Sequence, residues 1–126
     1  MRTGRAGAML VALPRNRTSD RRVALLRVAG LEIDALHQRV RRGTREVPIT
    51  PVEHVILYTL AVRAGAVVSY RDLAEALGGT APGVRNNTLA RHVSSLRRKL
   101  RDDARRPRYI ETVFGIGYRL LDAADP

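Results

Sequence analysis

The residues with the clearest chemistry in this sequence lie between positions 86 and 100, where polar and basic side chains recur at helical spacing. At intervals of four, three and four residues the sequence places Asn87, Arg91, Ser94 and Arg98. An α-helix turns about 100° per residue, so these four side chains share one face. Arginine, asparagine and serine match guanine acceptors, adenine edges and phosphate oxygens, which predicts a helix that reads the major groove of a duplex. A solvated basic face on an ordinary amphipathic helix is the alternative interpretation.

A second row of side chains in the same stretch requires burial. It is apolar and repeats the same intervals: Leu89, Val93, Leu96 and Leu100. The row forms a narrow stripe without the Trp or Phe typical of a helix at a bilayer surface, so it suits a protein core. We therefore predict an amphipathic helix from about Val84 to about Arg101 that packs through this stripe.

The net charge is +11, from 23 basic and 12 acidic residues, and its distribution is uneven. Residues 1–22 hold six arginines and one aspartate, and residues 84–106 hold eight basic and two acidic residues. Positive charge gathered in two places favours a polyanionic partner, and nucleic acid is the commonest one.

Composition excludes several kinds of site. The chain has no cysteine, which excludes disulfides, thiolate metal sites and cysteine catalysis. His37, His54 and His92 show no metal-ligand spacing, so we expect no metal ion, and no motif predicts another cofactor. His92 and Ser95 are one helical turn apart, but no third group orients them, so we expect no catalytic residue and no enzyme. No stretch approaches the roughly 18 apolar residues of a membrane span, and we expect a soluble protein without a membrane partner.

The first half of the chain is predicted to contain a basic tail followed by a small sheet. Residues 1–20 are rich in Arg, Gly and Ala and predict a flexible tail, whereas residues 21–126 have the length of a single domain. Turn residues then separate short apolar runs that predict four antiparallel strands: Val23 to Val28, Leu31 to Ile33, Gln38 to Arg41 and Arg45 to Val47. A meander this small needs helices to cover its apolar face.

Helix start signals follow the predicted sheet. Thr50 as N-cap, Pro51 at the first helical position and Glu53 three residues after Thr50 form a capping box, and this helix should end near residue 64. Ser69 can cap a second helix from Tyr70 to Leu77. The glycine-rich segment 78–83 then predicts a loop before the basic helix.

The end of the chain predicts a hairpin, because residues 107–120 place strand-forming residues around Gly115 and Gly117. The predicted order is therefore a small N-terminal antiparallel sheet, three helices and a C-terminal β-hairpin. A helix pair with a basic second member, followed at once by a hairpin, is the layout of an α+β winged helix-turn-helix fold.

From about Leu26 to Leu121 the sequence resembles the effector domain of the OmpR/PhoB family of bacterial transcription regulators. The matching segments occur in collinear order: 31–34, 48–53, 65–69, 93–100 and 110–120. Departures from the family pattern are Ser94 and Ser95, where arginine is frequent, Phe114, where a basic residue is frequent, and Leu77, where tryptophan is frequent. The phosphoacceptor receiver domain common in the family does not fit beside this domain in 126 residues.

The resemblance implies a sequence-specific regulator of transcription that binds double-stranded DNA at the nucleoid in the cytoplasm. The helix at about 84–101 would lie in the major groove, and the hairpin wing at about 109–120 would contact the minor groove. Two copies would bind direct repeats head to tail. The loop that the family uses to contact RNA polymerase corresponds to Gly78, Gly79, Thr80, Ala81, Pro82 and Gly83.

Individual roles on DNA follow from side-chain type and position on the helix. For base reading we predict Asn87, Thr88, Arg91 and Ser95. For phosphate binding we predict His92, Arg97, Arg98, Lys99, Arg101 and Thr112.

Two other classes of function use the same residues. The basic surface could grip an acidic protein partner, as an interaction module does, or it could bind DNA or RNA without sequence preference, as an architectural protein does. Tyr109, Phe114 and Tyr118 stand near basic residues, as in proteins that stack the bases of single strands, but packing of the two tyrosines on the third helix explains them as well.

Overall fold

The computed structural model describes residues 9–10, 25–78 and 86–122. In these ranges the elements follow one another as β1 (Met9–Leu10), β2 (Leu25–Val28), β3 (Leu31–Asp34), β4 (Arg39–Arg42), β5 (Arg45–Val47), α1 (Pro51–Val62), β6 (Val67–Ser69), α2 (Tyr70–Ala76), α3 (Asn86–Leu100), β7 (Ile110–Val113) and β8 (Gly117–Leu120). The α+β winged helix-turn-helix fold predicted from the sequence is confirmed.

The N-terminal sheet is an antiparallel meander in the order β1-β2-β3-β4-β5. Its register aligns an apolar row across four strands: Leu26, Ile33, Val40 and Val47. All four side chains are buried, and they form one core with the helices. The neighbouring row alternates in charge and consists of Arg27, Glu32, Arg41 and Glu46. One face of the sheet therefore covers the core, and the other carries charges of both signs.

Strand β1 corrects one expectation from the sequence. Met9 and Leu10 pair with Arg27 and Leu26 of β2, so they extend the sheet by one strand instead of belonging to an unstructured tail. Two residues are too few to show a periodic pattern, which is why this strand was missed. The remaining residues of the predicted tail, 1–8 and 11–20, lie outside the described residues.

Helix α1 begins with the predicted capping box. The Glu53 amide donates to Thr50 Oγ1 over 3.1 Å, and the Thr50 amide donates to Glu53 Oε1 over 3.0 Å. Pro51 occupies the first helical position, where its missing N–H has no cost. Ile56 and Leu60 are fully buried, so α1 is the central helix of the core.

Helix α2 also begins as predicted, since the Asp72 amide donates to the Ser69 hydroxyl over 3.0 Å. The segment just before it differs from expectation. The residues of β6 form a strand that the sequence pattern does not predict, and they pair antiparallel with β8. The wing is consequently part of a three-stranded sheet in the order β6-β8-β7, and this sheet ties it to the body of the domain.

Helix α3 buries the predicted apolar stripe completely, with 0% exposure at each of Leu89, Val93, Leu96 and Leu100. It ends at Leu100, and the next residue, Arg101, has a left-handed φ of 59°. The Arg101 amide donates to the Arg98 carbonyl and the Asp102 amide to the Arg97 carbonyl, which is the Schellman pattern of a helix end. The predicted start near Val84 lies outside the described residues, and so do residues 79–83 of the predicted loop.

Candidate nucleic-acid interface

The polar face of α3 is exposed along its length. Asn87, Arg91, Ser94 and Arg98 are all solvent-accessible, whereas the apolar stripe on the other side is sealed in the core. Helix α3 contains no Asp or Glu. The fold therefore presents an uninterrupted row of neutral and cationic hydrogen-bonding groups.

A shallow depression runs between the start of α1 and α3. Its walls are formed by Thr50, Val52, Glu53, Thr88, Arg91, His92 and Ser95. The depression thus brings together three of the four predicted base-reading residues: Thr88, Arg91 and Ser95. The fourth, Asn87, directly precedes Thr88 in the sequence and is exposed. His92 is half-buried on the same wall.

One of the residues that line the depression is a buried carboxylate. Glu53 Oε1 accepts a hydrogen bond from Lys99 Nζ over 2.7 Å, and the Glu53 side chain is only 3% exposed. Burial alone would raise the pKa of Glu53, but hydrogen bonds from Lys99 and from the Thr50 amide, together with the positive charge of Lys99, outweigh it and lower the pKa below its ordinary value. Lys99, predicted from sequence as a phosphate ligand, is therefore engaged within the protein.

Arg97 is also engaged within the protein. Its Nη2 donates to the Ile110 carbonyl oxygen and to Thr112 Oγ1, both over 2.8 Å, and its guanidinium lies 6.0 Å from the centre of the Tyr118 ring. Arg97 and Thr112, both predicted to bind phosphate, thus join α3 to the wing strand β7. The Nη1 donors of Arg97 are not used in these bonds, so a phosphate contact stays a prediction.

The other predicted phosphate ligands on α3 face solvent. Arg98 and Arg101 are exposed, and Arg98 Nη2 lies 3.4 Å from the Ser95 hydroxyl oxygen. Ser95 is half-buried and lines the depression together with Glu53, and its role in base reading stays a prediction.

The loop after α3 is also basic, which was not predicted from the sequence. Arg105, Arg106 and Arg108 are exposed in the segment between α3 and β7. The Asp102 carboxylate organises the segment by accepting backbone N–H groups from Arg108, Tyr109 and Ile110, at distances from 2.7 to 3.2 Å. The dense arginines after residue 100 were a usable signal, but whether they lie beside α3 depends on the fold of the loop.

The sheet contributes to the same end of α3. Arg42 Nη1 donates to the Leu100 carbonyl over 2.9 Å, where a cation also opposes the negative end of the helix dipole. The guanidinium groups of Arg42 and Arg108 lie 6.0 and 5.7 Å from the centre of the Tyr109 ring. Tyr109 and Tyr118 are buried, so packing accounts for both tyrosines, whereas Phe114 is exposed at the wing turn.

The three histidines lie in separate elements: His37 in the β3–β4 turn, His54 in α1 and His92 in α3. Among the residues that the structure describes, no group of three or more His, Asp or Glu side chains is arranged to hold a metal ion. None of the helices in the described ranges is long and apolar enough to cross a membrane.

The sequence matches the family model "Transcriptional regulatory protein, C terminal" over residues 44–120. Among relatives, it is 32% identical over 111 residues to the KDP operon transcriptional regulatory protein KdpE of Escherichia coli, covering 88% of this chain and 49% of that protein. It is 42% identical over 82 residues to the regulatory protein VanRc of Enterococcus gallinarum, covering 65% of this chain and 35% of that protein. The chain thus spans half or less of the length of these relatives.

Two solved structures show the same architecture. The DNA-binding domain of RstA from Klebsiella pneumoniae, in complex with the RstA box, superposes with a TM-score of 0.72 at 27% identity, covering 79% of this chain and 98% of that one. The DNA-binding domain of CpxR from E. coli superposes with a TM-score of 0.66 at 33% identity, with the same coverage. The family match, the collinear relatives and the shared architecture agree: the chain belongs to the OmpR/PhoB-type family of C-terminal DNA-binding domains of transcriptional regulatory proteins.

Proposed function

We propose that this protein recognises a specific sequence in double-stranded DNA by placing α3 in the major groove, and that it regulates transcription in the cytoplasm, at the nucleoid. The observation that carries the proposal is the division of α3 into two faces. Its apolar stripe is fully buried, whereas Asn87, Arg91, Ser94 and Arg98 are exposed along the opposite face. A helix fixed through one face can present the other to base edges without further ordering.

The charges around α3 support DNA over an acidic protein partner. Two acidic residues beside α3 are already bonded: Glu53 to Lys99, and Asp102 to backbone N–H groups of the loop. The surface therefore keeps the positive charge of Arg91, Arg98 and Arg101. The exposed loop residues Arg105, Arg106 and Arg108 follow α3 along the chain and add to this charge, which suits a partner lined by phosphates.

The wing fits the second part of the proposal. Arg97 holds β7 against α3 through Ile110 and Thr112, so the hairpin turn lies at a fixed position relative to the reading helix. We infer that the wing reaches the minor groove next to the major groove that α3 occupies. The RstA domain, whose structure was determined with the RstA box, has this architecture.

Two further proposals concern assembly. We propose that two copies bind direct repeats head to tail, about one helical turn apart, because this spacing brings both copies of α3 to the same side of the duplex. We also propose that the loop between α2 and α3 contacts RNA polymerase. Of residues 78–83, the predicted contact segment, the described residues include Gly78 only.

The test is selection from a random duplex library followed by competition at fixed salt. A sequence-specific regulator should prefer the selected duplex over bulk DNA by roughly a thousandfold or more. The variant Arg91→Ala should lose the part of that preference that comes from one base pair, roughly 1–3 kcal/mol. Arg45→Ala is the matched control, because Arg45 is an exposed arginine on β5 of the N-terminal sheet.

Other results would contradict the proposal. Equal affinity for selected and random duplexes, or higher affinity for single-stranded RNA, would indicate a nonspecific nucleic-acid binder. Binding to an acidic protein that duplex DNA does not compete away would indicate an interaction module.

A further inference from the structure

The turn of the wing carries two exposed apolar side chains. Phe114, the only phenylalanine in the chain, is 88% exposed, and Ile116 is 53% exposed. Single apolar residues on a surface are common, but tight turns favour Gly, Asn and Asp, not a bare aromatic ring. Packing within the domain does not explain Phe114, because nearly its whole surface remains in contact with solvent.

The backbone that carries Phe114 is held firmly. The Ile116 amide donates to the Val113 carbonyl over 2.9 Å, and Gly115 has a φ of 81°, as position three of a type II turn requires. The Tyr70 amide at the start of α2 donates to the Ile116 carbonyl over 3.0 Å. A Cβ at residue 117 would overlap the Val68 carbonyl oxygen, so Gly117 permits close contact between β8 and β6. The turn thus presents the ring from a rigid support.

The turn is also coupled to α3. Arg97 donates to Thr112 Oγ1, and Thr112 lies only two residues before Phe114, a distance of about 7 Å along a strand. Between Thr112 and Ile116 there is no charged residue, and Glu111 just before them is paired with Arg119. The turn is therefore uncharged and apolar, and it is held at a fixed position relative to α3, whose exposed face is basic and polar.

We propose that Phe114 enters the minor groove of the duplex bound by α3 and wedges its ring into one base step, with Ile116 against the adjoining sugars. This inference rests on the proposed function. Apolar side chains that enter the minor groove unstack a step and kink the duplex toward the major groove. An uncharged turn suits that position, because sugar walls and base faces are apolar and arginine-phosphate contacts are supplied elsewhere.

The wedge predicts sequence preference without a hydrogen bond to any base. Pyrimidine–purine steps such as TA and CA unstack most easily, whereas A-tracts are stiff. The preferred duplex should therefore contain a flexible step at the position of the wing. This preference comes in addition to the base pairs read by α3.

The experiment uses the full chain and the duplex selected from a random library, with 2-aminopurine placed at each step on the wing side in turn. The wild type should raise the fluorescence at one step and bend the duplex, as measured by energy transfer between its ends. Phe114→Ala should abolish both signals and weaken binding about tenfold, as loss of an aromatic anchor does. It should leave the preferences at the base pairs read by α3 intact and leave the melting temperature of the protein unchanged.

Val62→Ala is the matched control, because Val62 is 52% exposed at the end of α1, and this variant should behave as wild type. Replacing the flexible step by an A-tract should weaken the wild type but not Phe114→Ala. Unchanged fluorescence, bending and affinity in Phe114→Ala would overturn the wedge. The proposed function would still stand if the protein kept its preference for the selected duplex. Loss of self-association in Phe114→Ala by sedimentation, with the fluorescence change retained, would assign the ring to a second copy of the chain and also overturn it.

Discussion

The carboxylate of Glu53 and the ammonium of Lys99 lie 2.7 Å apart and join the first turn of α1 to the last turn of α3. Glu53 is 3% exposed and Lys99 is 24% exposed, so water screens this pair little. The same carboxylate oxygen accepts the Thr50 amide and so completes the cap of α1. One side chain therefore both caps α1 and joins α1 to α3.

We expect Glu53→Gln to cost about 1–3 kcal/mol of unfolding free energy, because the amide can still cap the helix but leaves the partly buried ammonium of Lys99 without its counter-charge. Lys99→Met should cost a similar amount. The double variant should lose less than the two single losses added together, as urea unfolding at pH 7 would measure. The control is the Arg71–Glu75 pair, whose side chains are 85% and 63% exposed and should show almost no coupling. Strict additivity at Glu53 and Lys99 would show that the contact has no energetic role.

The pH dependence of that pair has a definite sign. Because the folded state lowers the pKa of Glu53, the pair contributes stability above the ordinary pKa of a glutamate, and that contribution is lost as the pH falls through the lowered value. The wild type should therefore lose its advantage over Glu53→Gln in acid, below about pH 4.3.

A contact could be predicted from the sequence when its two residues are close to each other along the chain, and not when they are far apart. The capping box of α1 and the two faces of α3 follow from residues three or four apart, and both were predicted correctly. The bonds of Arg97 and Lys99 reach partners 13 and 46 residues away. Their sequence pattern is that of exposed cations on a helix. Only the positions of β7 and α1 show that they face inward.

The two strands that were missed have the same cause. Neither β1, with two residues, nor β6, with three, is long enough to show alternation. Both exist because a longer strand offers them an edge: β2 for the first and β8 for the second. Such pairing is a property of the whole fold and leaves no local signal.

His54 predicts a second pH effect in a separate range. Its side chain is 4% exposed, neither ring nitrogen has a hydrogen-bond partner among the described residues, and the ring stacks on Tyr58 at 6.1 Å. Burial lowers the pKa of His54, and the carboxylate of Asp34 opposes this only in part. Below about pH 6.5 the unfolded chain therefore takes up a proton that the folded state resists. The free energy of unfolding decreases as the pH is lowered, until the pH reaches the lowered pKa of His54.

The variant His54→Leu should remove this dependence. The difference in unfolding free energy between the variant and the wild type should favour the variant more at pH 5.5 than at pH 7.5. The change should be up to about 1.4 kcal/mol per pH unit, as chemical unfolding of both proteins at the two pH values would measure. The comparison cancels the contributions of His37 and His92, which both proteins contain. A difference that is the same at both pH values would show that His54 titrates normally in the folded state.

The loop arginines should act on affinity without acting on sequence preference. If Arg105 and Arg106 each neutralise a phosphate, replacing both with Gln should make the slope of log affinity against log salt shallower by about 1.8. All duplexes should weaken alike, and the selected sequence should stay the same. Arg45→Gln on the sheet is the control and should leave the slope unchanged. An unaltered slope in the double variant would place the loop away from the DNA.

The last prediction separates base reading from positioning within α3. Arg91 is exposed on the polar face, where the floor of the groove should lie. If it makes a bidentate contact to guanine, Arg91→Ala should cost roughly 1–3 kcal/mol at the preferred duplex and flatten the preference at one base pair. Since Ser94 and Ser95 are short, Arg91 should carry a large share of the discrimination.

Arg97→Ala should differ in kind, because Arg97 bonds to Ile110 and Thr112 of the wing strand. Removing the guanidinium breaks its hydrogen bonds to Ile110 and Thr112, which join α3 to β7. We therefore expect a loss of about 1–3 kcal/mol in unfolding free energy and weaker binding to all duplexes. The salt dependence decides whether its unused Nη1 donors also bind phosphate: the slope should become shallower by about 0.9 if they do and stay constant if they do not. Salt-titrated binding of both variants to the selected duplex and to its single-base variants makes the comparison. Uniform weakening across every sequence in Arg91→Ala would remove Arg91 from the base-reading set and leave it as another phosphate ligand.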